Sequence, residues 1–439
     1  MNTNIIIGIV GCVLSLVLIF ARVWVGPSMM MISLIGITIM RGWKYTLGAL
    51  SPIAYSEMAK YTWACLPLFV LMGCTLSVSG IGGDLYNFAR AVLGKIRGGL
   101  AMATIAACAF FAAICGDSIA TAVTMGKVSL PEMKHYNYNE GLASCAVVSG
   151  GTIGIMIPPS ITFIMYAMIT EQSVGRLFAA GMIPGITQAL FYMIAIAVVC
   201  KIRPEYGGDE LKITRKERLK SIIPVWPVVL LFILMMGGLY GGYFTPVEAG
   251  AFGALFTFVI GFALRRLNKQ KVSEILKDMV QSSGMVLFLI VGAFFFIRFI
   301  TLSGVATSLT KMLTEWQASN NIPRIVIVII IISFYFITGC FLDCLAVVLL
   351  TLGIVFPIIT SLGYDPIWWG VMMVRVLEMS MVTPPFGLNL FCVSRTCQVP
   401  IGVVYKGAFP FVIADVAHVA LLIALPELSL WLPKLIGLM

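Results

Sequence analysis

Apolar runs of membrane-spanning length recur along the chain, at 4–21, 26–40, 61–79, 178–200, 221–240, 247–264, 281–300 and 402–426, and predict ordinary crossing helices. Four further segments, 99–115, 119–131, 325–341 and 344–360, are short for a span and come as two pairs. Each pair is interrupted by a polar element carrying an aspartate, Gly116-Asp117-Ser118 in one and Asp343 in the other. A helix that stops inside hydrocarbon leaves end groups without partners, so such breaks survive only when buried in protein or lining a wet cavity. The pairs are therefore predicted as re-entrant hairpins, over about 99–131 and 325–360. Two more spans, 139–170 and 366–396, contain Pro158-Pro159 and Pro384-Pro385. Tandem prolines remove two backbone donors and push the preceding residue out of helical geometry, which predicts a helix unwound in its middle. A simple kink is the alternative at each site taken alone.

The two sites are not independent. A shift of 226 residues carries Asp117 onto Asp343, Pro131 onto Pro357, Pro158-Pro159 onto Pro384-Pro385 and Pro184 onto Pro410, without a gap. It also pairs Tyr138 with Tyr364, Thr170 with Thr396, Gln172 with Gln398 and Gly181 with Gly407. Apolar identities would arise by chance in such a composition, but the prolines and the hairpin aspartate would not, so the chain carries an internal duplication. Five spans separate equivalent points of the two copies, an odd number, and the repeat is therefore inverted. The 201–220 loop holds seven basic residues and the 265–277 loop five. Two spans lie between these loops, which places both on one side, the cytoplasmic one by the positive-inside rule. The hairpins then enter from opposite faces, and their tips meet the two helix breaks near mid-membrane. This is the sequence pattern of a secondary transporter.

Composition sharpens what is excluded. Of 439 residues 60% are hydrophobic and only 11% charged, too apolar for soluble domains of that length. The formal charge of +10 is spread through short loops, which excludes a nucleic-acid-binding face. Cys12, Cys65, Cys74, Cys108, Cys145, Cys200 and Cys392 sit inside apolar runs and behave as small hydrophobes, and neither they nor Cys340 and Cys344 have zinc-ligand spacing with a histidine nearby. His135 and His418 are far apart, and no nucleophile-and-base constellation supports an enzyme. The first run lacks a basic start and an Ala-x-Ala-like site, so it is expected as a retained helix.

At a tip or a break, unpaired carbonyls and small hydroxyls suit Na⁺, whereas freed amides at half-helix amino ends suit an anionic substrate. Around the first break the available groups are Gly116, Asp117, Ser118 and Thr121 on the tip, with Gly150, Gly151, Thr152, Gly154 and Ser160 near the break. Around the second they are Asp343, Thr383, Gly387 and Asn389. The small residues equally suit close helix packing. The aspartates are costly at that depth and mark an ion or proton path. Arg375 and Glu378, three apart, are either a same-helix ion pair or leave Arg375 as a partner for a substrate anion. Arg298, near the end of its span, is expected to snorkel.

The segments 116–122 (Gly-Asp-Ser-Ile-Ala-Thr-Ala), 151–160 (Gly-Thr-Ile-Gly-Ile-Met-Ile-Pro-Pro-Ser) and 383–389 (Thr-Pro-Pro-Phe-Gly-Leu-Asn) resemble motifs of the large membrane subunit of tripartite ATP-independent periplasmic transporters. The resemblance runs from about 66 to 410. Two departures are Asp117, where serine is usual in the family, and Cys344 beside Asp343, where proline is often found. The resemblance implies an all-α polytopic inner-membrane protein with an elevator mechanism, in which hairpins and broken helices slide against a scaffold. It implies Na⁺ as coupling ion and no organic cofactor. It also implies a small four-helix membrane subunit as a separate chain, and a periplasmic binding protein that delivers an organic acid: a C4-dicarboxylate, a sialic or other sugar acid, or a sulfonate. On this reading residues 1–60 and 204–280 belong to the scaffold, 61–203 and 281–426 are the repeats and 427–439 is a tail. The Na⁺ ligands would be Gly116, Asp117, Ser118, Gly151, Thr152, Gly154 and Pro158 in one copy and Asp343, Thr383, Pro384 and Gly387 in the other. Substrate would meet Ser118, Thr121, Ser160, Asn389 and Arg375. A stand-alone Na⁺/anion symporter of the same fold and, further off, a channel remain as alternatives.

Overall fold

The computed structural model describes residues 3–209, 211 and 213–438. Lys212, one of the seven basic residues of the 201–220 loop, lies outside the described residues, as do the ends of the 1–60 and 427–439 segments at Met1, Asn2 and Met439. The described chain is all-helical. It opens with α1 (Thr3–Phe20), α2 (Val25–Arg41) and α3 (Trp43–Met58), followed by α4 (Cys65–Val78) and α5 (Ile81–Leu93). Next come a hairpin of α6 (Gly99–Cys115) and α7 (Ser118–His135), a broken helix of α8 (Glu140–Met156) and α9 (Ile161–Thr170), and the long α10 (Val174–Ile202). A connection of α11 (Arg215–Lys220), α12 (Trp226–Tyr240) and α13 (Pro246–Ala263) leads to α14 (Lys269–Ser303) and α15 (Val305–Ser319). The hairpin α16 (Arg324–Phe341)/α17 (Cys344–Ser361), the broken helix α18 (Pro366–Val382)/α19 (Leu388–Cys397), α20 (Ile401–Ala424) and α21 (Glu427–Leu435) complete the chain.

The duplication seen in sequence is a duplication of elements. Moved by 226 residues, the bounds of α7 and α8 become 344–361 and 366–382, which are those of α17 and α18. The helix starts repeat too, because the same side-chain type sits at each N-cap. Asn139 Oδ1 accepts from the Gly141 and Leu142 amides, and its counterpart Asp365 Oδ1 accepts from those of Ile367 and Trp368. Both hairpins and both mid-helix breaks are present where the sequence puts them.

Among the described residues five helices had no counterpart in the hydropathy pattern: α3, α5, α11, α15 and α21. Each carries polar or charged residues and is short, amphipathic or proline-interrupted, so none presents a continuous apolar run. The α14 helix begins well before the expected 281, and its 35 residues make it about 50 Å long, longer than the hydrocarbon core.

The core sits on the two broken helices. Every residue of α8 from Gly141 to Met156 and of α18 from Ile367 to Val382 is buried. The α8 helix packs against α6, α7, α18 and α20, and α18 against α10, α16, α17 and α20. At the periphery α1, α2 and α3 gather on α14, with long apolar side chains such as Ile9, Val13 and Val17 facing outward, as a bilayer requires. Among the described residues, nine helices are long and apolar enough to cross a membrane.

Candidate functional site

The two halves interlock. The second arm of the first hairpin, α7, packs on α19 beyond the second break, and the second arm of the other hairpin, α17, packs on α9 beyond the first. Each hairpin thus touches both breaks, which brings the residues 116–121, 157–160, 343 and 383–389 into one region. Asp117 and Asp343 lie within electrostatic range of each other.

At the first junction Gly116 ends α6 with φ +67°, a left-handed turn suited to glycine. A Cβ at Gly116 would come 2.4 Å from the carbonyl oxygen of Pro159, so tip and break meet backbone to backbone. Asp117 is the N-cap of α7: its Oδ1 accepts from the Ala120 amide at 2.6 Å. Thr121 Oγ1 donates to the Asp117 carbonyl at 2.6 Å, and the last turn of α8 presents Gly154 to the same two oxygens. A Cβ at Gly154 would stand 2.8 Å from Asp117 O and 2.9 Å from Thr121 Oγ1, and one at Gly151 3.0 Å from Ser118 O. The tip and the last turn of α8 thus meet in close contact, with carbonyl and hydroxyl oxygens of the tip set against glycines and Ala122 Cβ beside Gly151. Pro158 lies in the break itself, joined to Pro159 by a cis peptide, and Ser160 caps α9 by accepting from the Phe163 amide at 3.3 Å.

The second junction is built alike with one asymmetry. Leu342, not glycine, precedes Asp343, and the backbone there is extended. Asp343 caps α17 through the Leu345 amide at 3.1 Å. Thr383 Oγ1 donates to Met379 O at 2.7 Å, and Pro384 and Pro385 form the second cis peptide. Gly387, at φ +49°, would place a Cβ 3.0 Å from both Met381 O and Thr383 O. Asn389 then crosses to the other half and donates through Nδ2 to Ser118 Oγ. Its Oδ1 is buried without a hydrogen-bond partner.

Three residues named from sequence stand apart from these junctions. Gly150 faces α6, where a Cβ would come 2.7 Å from Cys108 Sγ. Thr152 turns toward α10, where its hydroxyl donates to Ser149 O at 2.7 Å and meets Tyr192 and Gln188. Arg375, wholly buried, is engaged by Asp415 and His418 of α20. Arg298 reaches the Tyr45 hydroxyl. Sequence reasoning missed Asp415, although an aspartate and a histidine three apart in an apolar span are a signal of their own.

The first tip also borders a cleft of about 540 Å³ between α4 and the amino-terminal part of α14. It is lined by Asp117, Ser77 and Cys74 on one side and Asp278, Gln281 and Ser282 on the other. Among the described residues no group of three or more histidine, cysteine or carboxylate side chains is arranged to hold a metal ion.

Comparisons with known proteins agree with this architecture. The family described as "Tripartite ATP-independent periplasmic transporter, DctM component" matches residues 12–428. The C4-dicarboxylate large permease protein DctM of Pseudomonas aeruginosa is 34% identical over 86% of this chain and 87% of its own. The sialic acid large permease protein SiaM of Vibrio cholerae is 29% identical over 85% of this chain and 87% of its own. The crystal structure of the Alcanivorax borkumensis YdaH transporter superposes with a TM-score of 0.62 at 14% identity, covering 89% of this chain and 88% of that one.

Proposed function

The chain belongs to the DctM component family of tripartite ATP-independent periplasmic transporters, the large permeases of multi-pass type in the bacterial inner membrane, and from that premise we propose Na⁺-driven uptake of a small organic acid. The observation that carries the ion reading is the pair of oxygen-lined junctions where hairpin tips meet broken helices. In the first, the carbonyls of Asp117, Ser118 and Pro159 with Thr121 Oγ1 would take the ion, Gly116, Gly151 and Gly154 letting the tip and the broken helix approach closely. In the second, the Met381 and Thr383 carbonyls and the Asp343 carboxylate would do so. Partial dehydration by such oxygens is how Na⁺ is held at discontinuous helices. The substrate anion would lie between the Ser118–Asn389 link and the amino end of α9 at Ser160, where a half-helix presents its positive end. C4-dicarboxylates and sialic acids are the substrates named for the relatives, and a carboxylate of that kind suits this site.

Movement is proposed as an elevator. The hairpins and broken helices would travel against α1 to α4 and α12 to α14. The cleft at Asp117 is lined by Asp278 of α14, next to the basic 265–277 segment assigned to the cytoplasm, so on this reading the arrangement would be the inward-open one. A small membrane subunit and a periplasmic binding protein complete the system, since a docked partner can shift the equilibrium only through contacts that favour one state.

Gly154→Ala tests the first junction. Its methyl group would occupy the space against Asp117 O and Thr121 Oγ1, and uptake is expected to lose its steep dependence on Na⁺ while Gly237→Ala, where nothing lies within 4 Å, leaves it unchanged. Equal Na⁺ dependence in both variants would move the ion elsewhere. For the partners, accumulation by vesicles holding this chain and its small subunit is expected to require the binding protein as well as a Na⁺ gradient. Robust accumulation without the binding protein would instead make the chain a stand-alone Na⁺/anion symporter, and flux that does not saturate would make it a channel.

A further inference from the structure

Away from the junctions, α10, α18 and α20 enclose a set of polar side chains that the transport scheme does not use. Arg375, Glu378, Asp415 and His418 are all fully buried, on α18 and on α20, and α10 and α20 are long and apolar enough to cross a membrane. Their protons can be counted from the hydrogen bonds. Arg375 Nη2 is paired directly with Asp415 Oδ1. Arg375 Nε donates to His418 Nδ1 at 2.9 Å, and since a guanidinium only donates, Nδ1 is the acceptor. The ring then carries its single proton on Nε2 and donates it to Thr187 Oγ1 at 2.8 Å, so His418 is neutral. One cation and one carboxylate already balance.

Glu378 is left over. Its Oε2 is 3.6 Å from Arg375 Nη1, an ion-pair contact outside hydrogen-bond distance, and neither Nη1 nor either carboxyl oxygen has a hydrogen-bond partner. The polar side chain beside it, Gln188, spends its amide hydrogens on Thr152 Oγ1 at 3.3 Å and Tyr192 OH at 3.2 Å, which leaves Gln188 Oε1 also without a donor. Among the described residues the cation that bears on Glu378 is Arg375, and Arg375 is shared with Asp415. An ionised Glu378 would put a net negative charge, unsatisfied, in the interior of a membrane protein. A protonated Glu378 removes the charge and supplies a donor for Gln188. Other titratable groups facing the site do not change the count. Tyr192 of α10 and Cys344 of α17 are neutral in their ordinary forms, α8 adds only the hydroxyls of Ser149 and Thr152, and Tyr335 of α16 and Tyr166 of α9 bear on Trp369 and Gly370, more than two turns away along α18.

We propose that Glu378 is a proton-binding site, held neutral by the surplus of carboxylates over cations in the Arg375–Asp415–His418 network. The ligand is H⁺ rather than a metal ion, because the group sits in close-packed helix and, among the described residues, no metal-holding cluster forms. The site lies in the half that would carry substrate, so a proton enters the energetics of that half beside Na⁺. The protonation itself does not depend on the transport reading.

The test is infrared difference spectroscopy of the full chain in lipid nanodiscs as pH is raised. A protonated-carboxyl carbonyl band is expected at neutral pH, above the ordinary glutamate titration at about 4.3. It should vanish in Glu378→Gln and remain in Asp117→Asn and Asp343→Asn. Absence of any such band from the wild-type protein at neutral pH, or its survival in folded Glu378→Gln, would overturn the proposal. If Glu378→Gln does not fold, selective labelling decides: a band that shifts when glutamate carboxyls are ¹³C-labelled supports the assignment, and one that shifts only when aspartate carboxyls are labelled assigns the proton to Asp415 and refutes it.

Discussion

Asp343→Asn is expected to leave the protein folded and membrane-inserted while reducing Na⁺-driven uptake by about tenfold or more. The two effects separate because Asp343 has two roles. As N-cap of α17 it accepts from the Leu345 amide, and asparagine caps a helix as well as aspartate does. As a half-buried carboxylate at the second junction it would face the ion, and an interaction with a charged group is worth about 1.5–3 kcal/mol, which sets the loss of rate. Asp343→Ala should add the loss of the cap, about 1 kcal/mol of stability. Initial uptake rates in proteoliposomes, beside melting temperatures of the same samples, measure both. Near-normal uptake by Asp343→Asn would remove the carboxylate from the mechanism.

Arg375→Met is expected to act on stability rather than on substrate affinity. The guanidinium neutralises Asp415 inside α10, α18 and α20, and its removal leaves a buried carboxylate uncompensated. Breaking a buried pair in this way costs about 3–5 kcal/mol, enough to unfold many domains. The expected outcome is a sharp fall in melting temperature and in the amount of protein recovered from the membrane. The paired change Arg375→Met with Asp415→Leu should recover much of it, since well-packed apolar groups replace such pairs at little cost. A variant with unchanged stability and a raised KM would instead make Arg375 a substrate contact.

The architecture was legible because the features that build it are punctuation. Tandem prolines, aspartates at helix starts and an exact offset between two copies survive in a sequence of any apolar composition, and they locate the breaks and the tips to within a few residues. The amphipathic α5 and α15 were invisible to a search for apolar runs, yet they occupy equivalent places before the two hairpins, so the repeat itself could have exposed them. Side-chain direction was the harder matter. Gly151, Thr152 and Gly154 are consecutive choices on one helix turn, and sequence grouped them, but a helix sends neighbouring positions to different faces: the glycines meet the tip and Thr152 meets α10. Arg375 and Glu378 read as a same-helix pair, whereas the shorter contact of Arg375 runs to Asp415, forty residues on, which no local spacing announces. The link from Asn389 to Ser118 joins the two copies across 271 residues and likewise follows only from how the halves interlock.

The central claim is that each hairpin tip and the break it faces form an ion site, one in each copy. Equilibrium binding of radioactive Na⁺ to the purified chain in nanodiscs tests it most directly. The wild-type protein should show saturable binding with contributions from both junctions. Gly154→Ala should remove one part, Asp343→Asn the other, and the double variant both, with all three still folded. Saturable Na⁺ binding that is indifferent to either substitution, in proteins of normal stability, would contradict the account.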